Sequence, residues 1–224
     1  MQNFGNFFCV YSFLELSLRS IMKEKIINKA SDLFLTLGFK SVTMDDIANE
    51  LGISKKTIYV HFPNKTRLVE STIMHMFETI SHGIDSICEL KKNPIEEIYD
   101  IKNFVRDHLK NEKSSPQHQL QKYYPKIFES LKEKQFKVIN ECVKENLSRG
   151  IELQLYRSNL NNDYIARIYF NNMIAIKNTD LFPLKHFSMN ELMENFIEYH
   201  VRGISTKKGN KVLNEVIKKS IKNQ

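Results

Sequence analysis

Between Gly52 and Arg67 the chain carries Lys55, Lys56, Lys65 and Arg67, with Thr57, Tyr59 and His61 among them and no acid at all. Ammonium, guanidinium, hydroxyl and imidazole groups at this density are hydrogen-bond donors without a local neutraliser, which suits a polyanionic partner. If Ile53, Ile58 and Phe62 turn inward, the outward set is Lys55, Lys56, Thr57, Tyr59 and His61. Such a set reaches both phosphates and base edges in the major groove of a duplex. Other chemistry is sparse. The seven histidines are scattered without a zinc-type ligand pattern, so no metal site is expected. No G-x-S-x-G, P-loop, G-x-G-x-x-G or Cys-His arrangement occurs, so the reading is of a non-enzyme that needs no cofactor.

The elements that would hold the donor set follow from apolar spacing. Ile26, Ile27, Ala30, Leu33, Phe34 and Leu37 recur at three- and four-residue intervals and predict a helix from Lys23, closed by Gly38. Thr43 before Met44, Asp45 and Asp46 is an N-cap with two acids in the first turn, and the short helix it opens runs to about Leu51. Gly52 breaks that helix, Ser54 caps the next, and Phe62-Pro63-Asn64 ends it. Ala48 is small where the two short helices would approach, and Gly52 supplies the tight turn. Ile47, Leu51, Ile53, Ile58 and Phe62 supply a shared core with the preceding helix. Together these meet the steric requirements of a helix-turn-helix. An ordinary αα-hairpin would account for the apolar spacing but not for the acid-free outer face.

The run from Ala30 to Phe39 (A-x-x-L-F-x-x-x-G-F), T-M-D-D-I-A from Thr43, and G-I-S-K-K-T-I-Y-V-H-F-P-N-K-T-R-L from Gly52 to Leu68 resembles the DNA-binding domain of TetR-type transcriptional regulators. The resemblance implies that Thr43 caps its helix and holds a phosphate. It also implies that Lys55, Lys56 and Thr57 face the bases, and that Tyr59, His61 and Lys65 grip the backbone. Lys56 stands where the family commonly has a small residue, which favours a phosphate contact there. The resemblance further implies a repressor released from a palindromic operator when a small-molecule effector shifts the long helix starting near Lys65. The competing reading is a helical small-molecule-binding or enzymatic protein whose helix-turn-helix only packs.

Beyond Lys65 the pattern continues as helices to the end of the chain, with breaks at Asn93-Pro94, Ser114-Ser115-Pro116, Pro125, Gly150 and Asp180 to Pro183. Seven glycines and five prolines in 224 residues disfavour turn-rich β architectures. The expected fold is all-α: an N-terminal three-helix DNA-binding domain over 22–67 and a helical effector-binding and dimerisation domain over 68–205. Residues 206–224 read as a basic tail with a helical stripe of Val212, Val216, Ile217 and Ile221, able to fold back on the body. Residues 1–21, aromatic-rich and unlike the rest, read as a disordered extension or as the product of a start codon assigned upstream of Met22. The net charge of +7 is concentrated at the ends: eight basic against five acidic residues over 22–67, and six against one over 206–224.

Tyr123, Tyr124, Phe128, Tyr169, Phe170 and Met173 are candidates for lining a ligand cavity, the alternative being plain core. Ile165, Ile168, Leu192, Met193, Phe196, Ile197 and Val201, with Tyr169 and Met173, are candidates for a four-helix homodimer interface. The expected partners are therefore double-stranded DNA, a second copy of the chain and a small-molecule effector. No run is long and apolar enough for a membrane span. The three cysteines, Cys9, Cys88 and Cys142, show no disulfide-framework spacing, which points to a reduced, cytoplasmic protein.

Overall fold

The computed structural model describes residues 4–109, 116–183 and 185–222, with side chains between residues 17 and 220 of these. Among the described residues the architecture is all-α, with one isolated bridge between Tyr156 and Ser205 as its only β pairing. The helices are α1 (Phe4–Leu37), α2 (Met44–Leu51), α3 (Lys55–His61), α4 (Lys65–Glu89) and α5 (Pro94–Leu109). They continue with α6 (Pro116–Tyr123), α7 (Pro125–Glu152), α8 (Asn162–Ala175), α9 (Met189–Ile204) and α10 (Lys207–Lys222). Most fall within a few residues of the periodic segments. The expected break at Ser114-Ser115 lies outside the described residues.

Helix α1 departs from expectation at its start. It opens at Phe4, so residues 4–21 are helical where a disordered extension was expected. The physical reason is that neither glycine nor proline occurs between Gly5 and Gly38, so nothing interrupts propagation from the amphipathic segment back towards the N-terminus.

Local chemistry sets the next three boundaries. Gly38 takes φ 86° and its N–H donates to the Phe34 carbonyl at 3.0 Å, ending α1. Thr43 and Asp46 form a reciprocal capping box at the start of α2. Gly52, at φ 63°, closes α2 in the left-handed region, where a side chain would be strained. Ser54 and Asn64 cap α3 and α4, accepting the N–H groups of Thr57 and Arg67 at 3.1 and 3.0 Å.

Two apolar cores result. The first joins Ile26, Ala30 and Phe34 of α1 to Ile47, Ala48, Ile58 and Phe62 of the two short helices and to Leu68, Val69 and Ile73 of α4. It also takes Leu120, Ile127 and Phe128 from α6 and α7, so the N-terminal unit is not closed at residue 67. Gln119 fills the space over Gly38, where a Cβ would lie 2.4 Å from its amide. The second core gathers Ile95, Tyr99, Leu147, Tyr156, Phe196, Ile197, Val201, Leu213 and Val216. Its last two members belong to α10, so the basic tail is a helix packed on α5 and α9. The side chain of Ile221 lies outside the described residues.

Helix α4, 25 residues and roughly 37 Å long, contributes to both units. Its first turns lie in the first core, while Phe77, Ile80 and Ile84 face a cavity in the second. A buried polar network stiffens that second unit. The Glu97 carboxylate accepts from Arg149 and from Asn146 Nδ2, the latter at 2.8 Å, and the Tyr156 hydroxyl donates to Asn146 Oδ1 at 3.1 Å. Gly150 leaves room for the Tyr156 ring, which a Cβ would meet at 2.0 Å.

Candidate nucleic-acid interface and inner cavity

Helix α3 presents the donor set as one exposed strip. Ile58 is fully buried beneath it, whereas Lys55, Lys56 and Tyr59 face solvent and Thr57 and His61 are half-buried. Val60 is also exposed, adding an apolar group to the same surface. The α2–α3 crossing that fixes this strip rests on the Ile53 N–H donating to the Ala48 carbonyl at 3.0 Å.

The donors are not equally free. Lys55 Nζ donates to Asp45 Oδ2 at 2.7 Å, with both side chains about half exposed, and that hydrogen bond raises the lysine's pKa above its ordinary value. Asp45 thus reaches across from α2 to neutralise the helix that the sequence shows as acid-free. Both donors of Thr43 are spent on Asp46: the backbone N–H and the hydroxyl each donate to Asp46 Oδ2 at 2.8 Å. Those hydrogen bonds hold the Asp46 carboxyl below its ordinary pKa. The Thr57 hydroxyl lies 2.8 Å from the Ser54 hydroxyl.

His61 is held below its ordinary pKa, first by burial and then by Arg19 and Lys23, so near neutral pH it offers one N–H donor and no charge. Lys65 Nζ donates to the Lys40 carbonyl at 3.4 Å, and burial lowers its pKa. An ammonium has three donors, so two remain for a phosphate. Lys56 makes no ion pair among the described residues and extends outward. No group of ligands that could hold a metal occurs among the described residues.

The model for the N-terminal region of the bacterial regulatory proteins of the tetR family matches residues 26–72. The chain is 36% identical over 63 residues to IcaR of Staphylococcus aureus, the HTH-type negative transcriptional regulator of the biofilm operon icaADBC. That stretch is 28% of this chain and 34% of IcaR, so the chain spans about a third of that relative's length. It is also 24% identical over 193 residues to the HTH-type transcriptional regulator YvaF of Bacillus subtilis, covering 82% of this chain and 96% of YvaF. The fold is that of a TetR-family regulator from Agrobacterium tumefaciens, with TM-score 0.68, 16% identity, and coverage of 84% of this chain and all of the other. Residues 26–72 therefore resemble the N-terminal domain of tetR-family regulatory proteins, and the chain as a whole shares their fold.

The second unit encloses a cavity of about 150 Å³ between α4, α5, α7, α8 and α9. Its wall is largely aliphatic, with Phe77, Ile80, Ile84, Ile98, Ile101, Val105, Val138 and Ile139, and with Ser81, Gln135, Cys142, Lys177 and His200 as polar points. His200 is buried against the edges of Tyr169 and Phe196, and desolvation pushes its pKa down to about 4, so it lines the wall as a neutral ring.

Of the six aromatic and Met candidates for the cavity, Tyr169 and Met173 line it. The other four lie elsewhere. Tyr123 is exposed beneath the Lys40 ammonium, while Tyr124 packs on Phe39, Phe128 belongs to the first core, and Phe170 stacks edge-on to Phe136. The cause is the docking of α6 and the start of α7 on the DNA-binding unit, which carries their aromatics away from the second core. The residues missed on α4 and α5, mostly isoleucine and valine with Phe77 and Ser81, carry the same three-and-four spacing as any core-facing stripe.

The candidate dimer set also divides. Leu192, Phe196, Ile197 and Val201 are buried inside the protomer's own core, and Ile165 and Met193 are partly buried against it. Ile168 stays exposed on α8, beside the exposed Tyr164, and Tyr199 is 79% exposed on α9.

Proposed function

We propose that the chain is a cytoplasmic, homodimeric DNA-binding repressor that reads a near-palindromic operator through α3 and is released by a small apolar molecule bound in the second unit's cavity. The observation that carries the reading is the exposed strip Lys55, Lys56, Thr57 and Tyr59 on a helix braced by the first core. One such helix reads too few base pairs for useful discrimination, and a two-fold dimer doubles the site. The outward face of α8 and α9, with Tyr164, Ile168 and Tyr199, is the surface we assign to the two-fold axis.

The effector's route to DNA is α4. A ligand against Phe77, Ile80, Ser81 and Ile84 touches the helix whose first turn carries Lys65 and braces α1. Repression is relieved if the ligand binds the arrangement with displaced recognition helices better than the DNA-competent one, a coupling typically of about 1–3 kcal/mol. The aliphatic wall and neutral His200 select a compact apolar ligand with at most one or two polar groups.

The test is selection from random duplex by the purified protein, followed by sedimentation of protein and complex. The expected result is an inverted repeat with half-site centres roughly one to two helical turns apart, bound by two chains. A monomer at micromolar concentration, or retained sequences without salt-dependent affinity, would sink the reading in favour of a ligand-binding protein whose helix-turn-helix only packs.

A further inference from the structure

Two thiols that the sequence separates by 54 positions meet between α4 and α7. Cys88 Sγ in the last turn of α4 lies 3.5 Å from Cys142 Sγ in the middle of α7, and both side chains are half-buried. Closing that gap to a disulfide of about 2.05 Å is a matter of roughly 1.5 Å, within the reach of side-chain rotation and a small helix shift. Cys142 also lines the apolar cavity, so the pair has one face towards solvent and one towards the proposed ligand space. We infer that Cys88 and Cys142 are a hydroperoxide-oxidised thiol pair whose disulfide ties α4 to α7 and weakens DNA binding. The part concerning DNA rests on the repressor reading, whereas the thiol chemistry does not.

The two sulfurs are not equivalent. The Cys142 thiol hydrogen-bonds to Cys88, which lowers the Cys88 pKa and raises that of Cys142; Glu97 and Glu145 oppose the ionisation of Cys88 and Arg149 favours it. Cys88, the member of the pair that does not line the cavity, is assigned as the nucleophile, and Cys142, which lines it, as the resolving thiol. The Cys88 thiolate attacks the terminal oxygen of a hydroperoxide, and the O–O bond breaks. The alcohol leaves with the proton of the Cys142 thiol, and Cys88 becomes a sulfenic acid. The Cys142 thiolate then attacks Cys88 Sγ, the S–O bond breaks, and hydroxide leaves as water with the proton that Cys88 first released. Two thiols and one hydroperoxide give one disulfide, one alcohol (water, from hydrogen peroxide) and one water. Each sulfur loses one electron, and the peroxide gains two.

The site lies at the right place to act. Cys88 is 23 residues beyond Lys65 on one continuous helix, and the other end of that helix is built into the core beneath α3. Fixing the far end of α4 on α7 moves or restrains the strut that sets the spacing of the two recognition helices. In a bistable packed structure, displacements of this size change affinity by about tenfold or more.

The experiment uses full-length protein carrying Cys9→Ser, so that the pair supplies the only thiols, treated with stoichiometric hydrogen peroxide or cumene hydroperoxide. Peptide mapping should show a Cys88–Cys142 bond with loss of two hydrogens per chain. Anisotropy on the selected duplex should show about tenfold weaker binding, restored by dithiothreitol. Faster reaction with cumene hydroperoxide assigns delivery to the cavity, and faster reaction with hydrogen peroxide assigns it to solvent; either supports the pair. Cys88→Ser should bind DNA like the parent and ignore peroxide, and the Cys142→Ser protein should trap a sulfenic acid on Cys88 and form no disulfide. No intramolecular disulfide, or sulfenic acid only on Cys142, overturns the chemistry. A disulfide that leaves DNA affinity unchanged overturns the switch. A reduced parent that binds no duplex while still forming the disulfide refutes the repressor reading alone.

Discussion

The contact between Lys55 and Asp45 makes a prediction that the bare sequence does not contain. On sequence alone Lys55→Ala removes one cation from a basic patch. In the structure Lys55 is already paired at 2.7 Å, so the two side chains together present almost no net charge to a phosphate. Asp45→Asn therefore uncovers a cation, and Lys55→Ala uncovers an anion. Each phosphate neutralised contributes a slope of about 0.9 in log affinity against log salt, so two half-sites give a change of about 1.8 for either variant, in opposite senses. Taking the difference to vanish near 1 M salt, Asp45→Asn should bind scrambled duplex on the order of 60-fold more tightly at 0.1 M, as an upper bound. The double variant Asp45→Asn/Lys55→Ala should return to the parent's slope on scrambled DNA. On the operator it should still be weaker than the parent, because the lysine's contact with a base edge is gone. The assay is fluorescence anisotropy at a series of salt concentrations for the four proteins on both duplexes. If Asp45→Asn leaves the slope unchanged, or if the double variant behaves like Lys55→Ala on scrambled DNA, the pairing does not govern this surface.

If Thr57 faces base edges, Thr57→Ala should cost about 1–3 kcal/mol per half-site on the operator and almost nothing on scrambled duplex, whereas Lys65→Ala should weaken both and lower the slope by about one per half-site. Equal losses on the two duplexes for both variants would show that α3 does not divide its contacts in this way. His200 titrates near 4 in the folded chain against 6.5 as its ordinary value, so its contribution to stability is complete above about pH 6.5 and lost as pH falls towards 4. At pH 4.5 the loss should be about 2–3 kcal/mol relative to pH 7 in urea denaturation, and His200→Leu should remove that component; an unchanged acid loss in the variant would refute it. Glu97→Ala strands the Arg149 guanidinium and the Asn146 amide in the second core and should cost about 3–5 kcal/mol of stability, while Asp100→Ala, which breaks an exposed pair with Lys92, should leave the denaturation midpoint unchanged.

What could be read from the sequence, and what could not, separates by the range of the interaction. The helix-turn-helix is legible because each of its determinants is local: Thr43 with Asp46, Gly52 with Ala48 and Asn49, and Ser54 with Thr57, none more than four residues apart. The charge of α3 is not legible, since Asp45 lies ten residues from Lys55 and reaches it only because the two short helices cross. The same limit hides what packs on the later apolar faces. An apolar stripe at three- and four-residue spacing says that a face is covered, not what covers it. On α9 the stripe of Leu192, Phe196 and Ile197 is covered by the chain's own core, and on α7 Phe128 is covered by the DNA-binding unit. The informative residues are the ones such a pattern would discard. Tyr199 and Tyr164 lie outside the buried stripes of their helices and remain exposed. Large aromatic groups on two helices that already meet through Tyr169, Phe196 and His200 form the surface that a second copy would cover at least cost in side-chain entropy.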